Sequence, residues 1–207
     1  MIDHERKFIF VHIPKTAGTS MEFALADAWN NRQKYFVGKN NYLDDRTPQN
    51  HKHRNRKVYT THFSIKEILE VHPEARNYFR FCFVRNTWDR LVSAYVYRHH
   101  HEATTHKRKF KSLKDFIKNK NLHTNSQLKF ILGNNGKINM DFIGRYENLE
   151  NDFKTVCDRI GIQCQLPHYN FTKHEHYSKY YDEETVDLVY KKYKKEISHF
   201  NYDFESE

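Results

Sequence analysis

Phe8-Ile-Phe-Val-His-Ile-Pro-Lys-Thr-Ala-Gly-Thr-Ser20 joins an apolar run to a short polar loop near the start of the chain. The run Phe8–Ile13 is rich in aromatic and β-branched residues, which is typical of a strand buried on both faces of a parallel sheet. Pro14 ends that strand, and Thr19 or Ser20 is predicted to cap the following helix. The segment therefore predicts a strand, a loop and a helix in immediate succession.

The loop between that strand and that helix has the composition of an anion site. Free N–H groups and the dipole at a helix N-terminus favour a negative charge. Lys15 adds a cation, and Gly18 would let the backbone approach an oxygen closely. The loop departs from the Walker pattern because its lysine precedes the glycine, and residue types alone leave a well-capped turn as the alternative. The residues predicted to contact the anion are Lys15, Thr16, Ala17, Gly18, Thr19 and Ser20.

A second apolar run, Tyr78–Val84, predicts another buried strand, and Thr87 is predicted to cap the long helix after it. Arg85 stands at the carboxyl end of this strand, the edge where open α/β sheets bind ligands. Ser93 follows eight positions later, about two helical turns along, so both side chains could face one phosphate. Taken separately, an Arg at a strand end is more often part of a surface pair, and a Ser in a helix is more often a packing choice.

The rest of the chain alternates between predicted strands and helices without a repeat or a linker. Short strands are expected at 58–61 and 140–143, and helices at 65–71 (capped by Ser64), 112–119, 124–132, 148–160 (ended by Gly161) and 182–197. This alternation predicts a single α/β domain over residues 1–207 with a mainly parallel central sheet flanked by helices.

Charge and hydropathy limit the possible partners and compartment. The excess of 35 Lys and Arg over 26 Asp and Glu gives a net charge of +9, which favours an anionic partner without choosing among nucleotide, acidic polysaccharide and nucleic acid. No apolar run approaches the roughly 18 residues of a membrane span, and the N-terminus lacks the apolar core of a signal peptide. We therefore expect a cytoplasmic protein with free cysteines and no membrane span.

Both motifs resemble those of the sulfotransferase superfamily, most closely its carbohydrate sulfotransferase branch and bacterial relatives. The loop ending at Ser20 is similar to that family's 5′-phosphosulfate-binding loop, and Arg85 with Ser93 resembles its 3′-phosphate motif. The resemblance implies a P-loop-like fold and metal-free transfer from 3′-phosphoadenosine-5′-phosphosulfate (PAPS) to an acceptor hydroxyl, in the first place that of a carbohydrate. It also implies that Lys15 contacts the bridging oxygen and that the Thr16–Ser20 amides hold the 5′-phosphate.

His62 is the candidate for the general base. It follows the strand predicted at 58–61, and the run Thr60-Thr-His-Phe-Ser64 resembles the place where some relatives carry a base histidine. An imidazole with an ordinary pKa near 6.5 suits proton removal at neutral pH. In a chain with 15 histidines, a capping or packing role is the alternative.

Three other interpretations remain as alternatives or are set aside. An ATP- and magnesium-dependent P-loop kinase would be expected to offer an Asp where Arg85 stands. A non-catalytic basic protein that binds nucleic acid leaves the two phosphate motifs without a purpose. The histidines of His99–His106 resemble a zinc motif, but three residues rather than two separate Glu102 from His106, so no metal site is predicted. Arg145 and Glu147 suit either a ligand contact or a strand–helix junction.

Overall fold

The computed structural model describes residues 1–27, 62–105, 110–163, 165–166 and 174–205, with the backbone alone for residues 26, 27 and 100–105. The strand predicted at 58–61, the thiol of Cys164 and the side chains of the zinc-like pattern beyond His99 lie outside these described parts. Cys82 and Cys157 are buried thiols and neither forms a disulfide, as predicted for these two.

A four-stranded sheet forms the centre of the described structure, with strands in the order β1 (Ile2–Asp3), β2 (Phe8–Val11), β3 (Phe79–Val84) and β4 (Phe142–Arg145). Strands β2, β3 and β4 are parallel, while β1 pairs antiparallel with β2. This arrangement confirms the predicted α/β class and its mainly parallel sheet. The sequence analysis missed β1, because two residues are too few to show a periodic pattern.

Seven α-helices surround the sheet in the described ranges: α1 (Gly18–Asp27), α2 (Ile65–Val71), α3 (Thr87–Thr105), α4 (Leu113–Lys118), α5 (Leu128–Ile131), α6 (Leu149–Ile160) and α7 (Glu183–Phe200). Short 3₁₀ helices lie at Pro73–Asn77, Leu122–Thr124, Tyr146–Asn148 and Tyr177–Tyr180. None of the described helices is long and apolar enough to cross a membrane.

Helix ends test the capping predictions. Ser64 caps α2 through a reciprocal capping box with Glu67, and Gly161 ends α6 in the left-handed conformation, as predicted. Thr87 was the wrong cap, because α3 begins at Thr87 and the side chain of Asn86 accepts the Trp88 N–H at 3.0 Å. Helix α1 begins at Gly18, so Thr19 and Ser20 lie inside its first turn instead of capping it.

Helices cover both faces of the sheet. Alternate residues of β2 and β3 point to opposite faces. On one face Phe10 and Phe83 pack with α1 and α6, and on the other Val11 and Val84 pack with α2, α3 and α7. All four side chains are almost completely buried. The carboxyl ends of β2, β3 and β4 therefore open at one edge of the sheet, and the predicted site residues after β2 and β3 meet there.

Candidate active site

The two predicted phosphate motifs touch each other. The loop Pro14–Ala17 follows β2, Arg85 follows β3, and Arg85 Nη1 donates a hydrogen bond to the Lys15 carbonyl at 3.3 Å. Neighbouring parallel strands bring these loops together because their ends share one edge of the sheet. The structure thus brings Lys15 and Arg85, which are 70 positions apart in the chain, together in one basic region of the site.

The loop after β2 contains two non-glycine residues in the left-handed region, Lys15 (φ 68°) and Ala17 (φ 63°). Such a conformation costs about 1–3 kcal/mol per residue and persists where the surroundings enforce it, often at functional sites. The Thr16 hydroxyl donates to the Ile13 carbonyl at 2.9 Å and closes the turn. Any contact of Thr16 with an anion therefore falls to its backbone N–H.

Gly18 serves a close approach, but of a side chain. A Cβ at this position would lie 2.0 Å from the ring of His12, so only glycine lets this imidazole pack on the start of α1. His12 is itself held by the buried carboxylate of Glu22, 3.2 Å from its Nδ1. The approach of a ligand oxygen, which was predicted for Gly18, stays a prediction.

Lys15 presents a cation with an unusual environment. Its Nζ lies 4.2 Å from the ring centroid of Tyr97 on α3, within the range of a cation–π contact. Burial, and to a smaller extent the nearby Arg85 guanidinium, lower the pKa of Lys15 from 10.5 to about 8. The lysine is therefore charged at neutral pH and titrates closer to neutrality than an exposed lysine.

Arg85 is oriented from three sides. Its Nε and Nη2 donate to Asp89 at 2.7 and 2.9 Å, Nη1 reaches the Lys15 carbonyl, and the guanidinium lies 3.9 Å from the centroid of the Tyr146 ring. Three of its five N–H groups are used, which leaves one on Nη1 and one on Nη2 for a ligand. Asp89 and Tyr146 are site residues that the sequence analysis missed, although the i, i+4 spacing of Arg85 and Asp89 on a helix start was a usable signal.

The backbone of Arg85 is fixed by a side chain far away in the sequence. Gln127 accepts the Arg85 N–H and donates to the Arg85 carbonyl, both at 2.9 Å, so its amide acts like a neighbouring strand. Gln127 in turn donates to the carboxylate of Glu196 on α7, which is completely buried. No local pattern indicated either residue.

Glu147 and Arg145 belong to the junction after β4. Glu147 accepts the N–H of Asn86 at 2.6 Å and the hydroxyl of Tyr202 at 3.0 Å. Arg145 donates to the Phe200 carbonyl and lies over the Tyr202 ring. Glu147 therefore joins the C-terminal segment to the start of α3, and Arg145 joins the same segment to the end of β4. These contacts favour the orienting role over ligand contact.

His62 lies next to the loop after β2. Its Nδ1 is 3.0 Å from the His12 carbonyl, and its ring meets that of His12 edge to face at 4.4 Å. A carbonyl only accepts, so Nδ1 carries the proton and Nε2 keeps a free lone pair. Burial first, and then the His12 imidazole, lower the pKa of His62 far below its ordinary value. The ordinary pKa expected for this base is therefore wrong: the ring is a neutral acceptor over the physiological range, and a weaker base than an exposed imidazole.

Ser93 is buried in α3, two turns after Arg85, and its hydroxyl makes no hydrogen bond to the residues that the structure describes. Contact of this hydroxyl with a phosphate stays a prediction.

Among the described residues, His4, His72 and Glu74 form the one group whose side chains are spaced like metal ligands. This group lies at the amino ends of β2 and β3, away from Lys15. His4 Nδ1 lies 3.0 Å from the Tyr78 hydroxyl, and His72 Nδ1 pairs with Glu74 at 3.1 Å, so two of its nitrogens already have partners. Of the zinc-like pattern, only His99 is described, with Nε2 3.2 Å from the Phe110 carbonyl. Metal-free transfer stays a prediction.

Comparison with known proteins identifies the family of this chain. A model described as "Sulfotransferase family" matches residues 1–203. The chain belongs to the sulfotransferase family. Membership agrees with the resemblance of both phosphate motifs and with the position of those motifs at one edge of a mainly parallel sheet.

Individual relatives of this family member are distant. Carbohydrate sulfotransferase 11 of Mus musculus is 23% identical across an alignment that covers 98% of this chain and 66% of that protein. Carbohydrate sulfotransferase 14 of Danio rerio is 24% identical over 214 residues, 90% of this chain and 54% of that protein. An uncharacterized protein of Archaeoglobus fulgidus is 33% identical over 91 residues, 43% of this chain. The chain thus spans between about half and two thirds of the length of the two carbohydrate sulfotransferases.

Proposed function

We propose that the protein transfers a sulfuryl group from PAPS to an acceptor hydroxyl, in the first place that of a carbohydrate. The observation that carries this proposal is the contact between Arg85 and the Lys15 carbonyl, which joins the loop after β2 to the loop after β3. A nucleotide with phosphates on both the 5′ and the 3′ oxygen of its ribose needs two such anion sites. Membership of the sulfotransferase family implies PAPS as that nucleotide.

Each part of the basic region around Lys15 and Arg85 suits one part of the donor. The amides of the first turn of α1 have no carbonyl partner within the helix, so they suit the 5′-phosphate. The two remaining N–H groups of Arg85 and the hydroxyl of Ser93 suit the 3′-phosphate. Lys15, between these groups, suits the oxygen that bridges phosphorus and sulfur.

The reaction that follows is an in-line displacement at sulfur. The acceptor oxygen forms a bond to sulfur, the bond from sulfur to the bridging oxygen breaks, and that oxygen leaves on the 5′-phosphate. Lys15 stabilises the negative charge that develops on the leaving oxygen, and His62 Nε2 takes the proton of the acceptor hydroxyl. The products are the sulfated acceptor and adenosine-3′,5′-bisphosphate.

A carbohydrate acceptor is supported by two observations. The printed names of the vertebrate relatives are those of carbohydrate sulfotransferases. The net charge of +9 also suits an acidic glycan, since a positive surface attracts an anionic polymer.

A thermal shift experiment tests the donor class. We expect adenosine-3′,5′-bisphosphate to raise the melting temperature more than ATP with magnesium or an oligonucleotide, and to do so in the presence of EDTA, because a ligand stabilises the native state that binds it. Stabilisation by ATP only with magnesium would support the kinase interpretation instead. Stabilisation by the oligonucleotide alone would support nucleic-acid binding.

Arg85→Ala should abolish most of the shift produced by the bisphosphate. Two charge-assisted hydrogen bonds are lost, so we expect the dissociation constant to rise about 100-fold or more. Arg80→Ala is the matched control, because it removes an arginine from the opposite end of the same strand, where Arg80 pairs with the partly exposed Asp141. Equal loss of binding in both variants would argue against a specific role of Arg85.

The pH dependence of kcat/KM for PAPS tests Lys15. The pKa of about 8 means that the charged form is complete well below pH 8 and is lost as the pH rises through 8. We expect kcat/KM to fall on the alkaline side with a midpoint near pH 8. In Lys15→Arg this fall should move beyond pH 10, since arginine stays charged. An alkaline limb that is the same in both proteins would belong to another group.

A further inference from the structure

A second imidazole, that of His123, lies at the Lys15 end of the site without a role in the proposed function. Its backbone is held from both sides: its N–H donates to Asn121 Oδ1 at 2.9 Å, and its carbonyl accepts from Arg90 Nη1 at 3.0 Å. Arg90 is completely buried, so this anchor belongs to the core. The 3₁₀ helix Leu122–Thr124 therefore gives the ring a defined position.

That position is beside the reacting groups. The His123 ring centroid lies 5.9 Å from that of Tyr97, and the same Tyr97 ring has Lys15 Nζ at 4.2 Å on it. The charges are also coupled, since His123 contributes to the lowered pKa of His62, and Lys15 to that of His123. His123 and Lys15 therefore lie near the same Tyr97 ring, and His123 is close enough to His62 for their charges to interact.

The protonation of His123 follows from its surroundings. Burial, and after it the cations Arg98 and Lys15, lower the pKa of His123 to about 4, so the ring is neutral. Nδ1 is sealed from solvent and has no hydrogen-bond partner among the described residues, whereas Nε2 is not so sealed. An orphaned buried N–H is rarer than an orphaned acceptor, which places the proton on Nε2. The ring thus offers an N–H donor on its less buried side.

We propose that His123 is a further catalytic residue of this sulfotransferase, whose Nε2–H donates a hydrogen bond to a non-bridging oxygen of the sulfuryl group during transfer. The inference rests on the proposed function. The sulfuryl group is the anionic part of the donor next to Lys15, and a neutral donor in this positive region binds it without giving up a proton. His62 has the opposite tautomer, with Nδ1–H on the His12 carbonyl and Nε2 as acceptor. One imidazole removes the acceptor's proton while the other holds the group in transit.

The experiment compares wild type, His123→Ala, His123→Gln and His123→Asn. Cleavage of sulfur-labelled PAPS is measured in single turnover with a mixture of oligosaccharides as acceptor, and the affinity for adenosine-3′,5′-bisphosphate is measured alongside. We expect His123→Ala to lower the cleavage rate about 100-fold, the usual effect of losing one donor to a developing anion. Its affinity for the bisphosphate should stay within about twofold, because that nucleotide has no sulfuryl group.

The amide variants separate contact from packing. The glutamine amide nitrogen reaches the position of Nε2 and should restore at least about tenfold of the lost rate, whereas the asparagine amide reaches only the position of Nδ1 and should not. The inference is wrong if His123→Ala cleaves PAPS within about twofold of wild type, or if Ala, Asn and Gln lose rate and bisphosphate affinity together. A wild type that neither binds the bisphosphate nor cleaves PAPS would refute the proposed function itself, and the inference with it.

Discussion

His62→Ala should lower the turnover of sulfuryl transfer by about 10²–10⁴-fold, the usual contribution of a general base. The variant should still bind adenosine-3′,5′-bisphosphate within about twofold of wild type, because the groups proposed to bind the nucleotide are Lys15, Arg85 and the start of α1. The measurement is kcat with saturating PAPS and acceptor, together with the bisphosphate-induced rise in melting temperature.

The physical basis of this expectation is the hydrogen bond to the His12 carbonyl. It holds the His62 ring in one tautomer and directs the Nε2 lone pair away from the protein backbone. The lowered pKa keeps that lone pair unprotonated near neutrality, but it also makes the imidazole a weaker base than one with the ordinary pKa near 6.5. His4→Ala is a suitable control, since His4 is an exposed histidine at the opposite end of β2.

Two results would contradict the assignment of His62 as the base. Turnover within about threefold of wild type would show that another group removes the proton. A parallel loss of turnover and of nucleotide binding would show that His62 acts by supporting the loop after β2, which it contacts through His12.

Glu196→Ala should destabilise the protein by about 3–5 kcal/mol, which is the usual cost of removing one member of a buried charged pair. Glu196 accepts from the Thr87 hydroxyl at 2.8 Å and from the backbone N–H and side-chain amide of Gln127, and it lies 3.9 Å from Arg90 Nη2. For a domain of this size the melting temperature should fall by roughly 6–20 °C. Chemical denaturation monitored by circular dichroism measures the free energy of unfolding directly.

Glu184→Ala provides the matched control on the same helix. Its carboxylate pairs with Lys114 at the surface, and such exposed pairs contribute about 1 kcal/mol or less. We also expect Glu196→Ala to weaken bisphosphate binding at a temperature where it remains folded, because Gln127 then loses the contact that orients it towards Arg85. An unfolding free energy equal to that of the Glu184→Ala control would contradict this account of the buried network.

The resemblance of the motifs to a known family predicted the site residues, and the structure brings most of them together. Lys15, the first turn of α1 and Arg85 lie at the carboxyl ends of neighbouring parallel strands, as their positions after two apolar runs indicated, while Ser93 lies inside α3. His62 lies beside the loop after β2, although the strand predicted before it falls outside the described residues. Their chemical roles remain predictions.

The sequence by itself determined the class of the fold and the location of the two predicted phosphate motifs, because apolar runs, helix caps and turn residues act through neighbours along the chain. Only the tertiary structure decided how those two motifs are held. Gln127 reaches Arg85 across 42 residues, Glu196 reaches Gln127 across 69, and the Gly18 position is filled by the His12 ring. Polar contacts of this kind depend on how distant elements pack against each other, and no local period or spacing in the sequence pairs such residues.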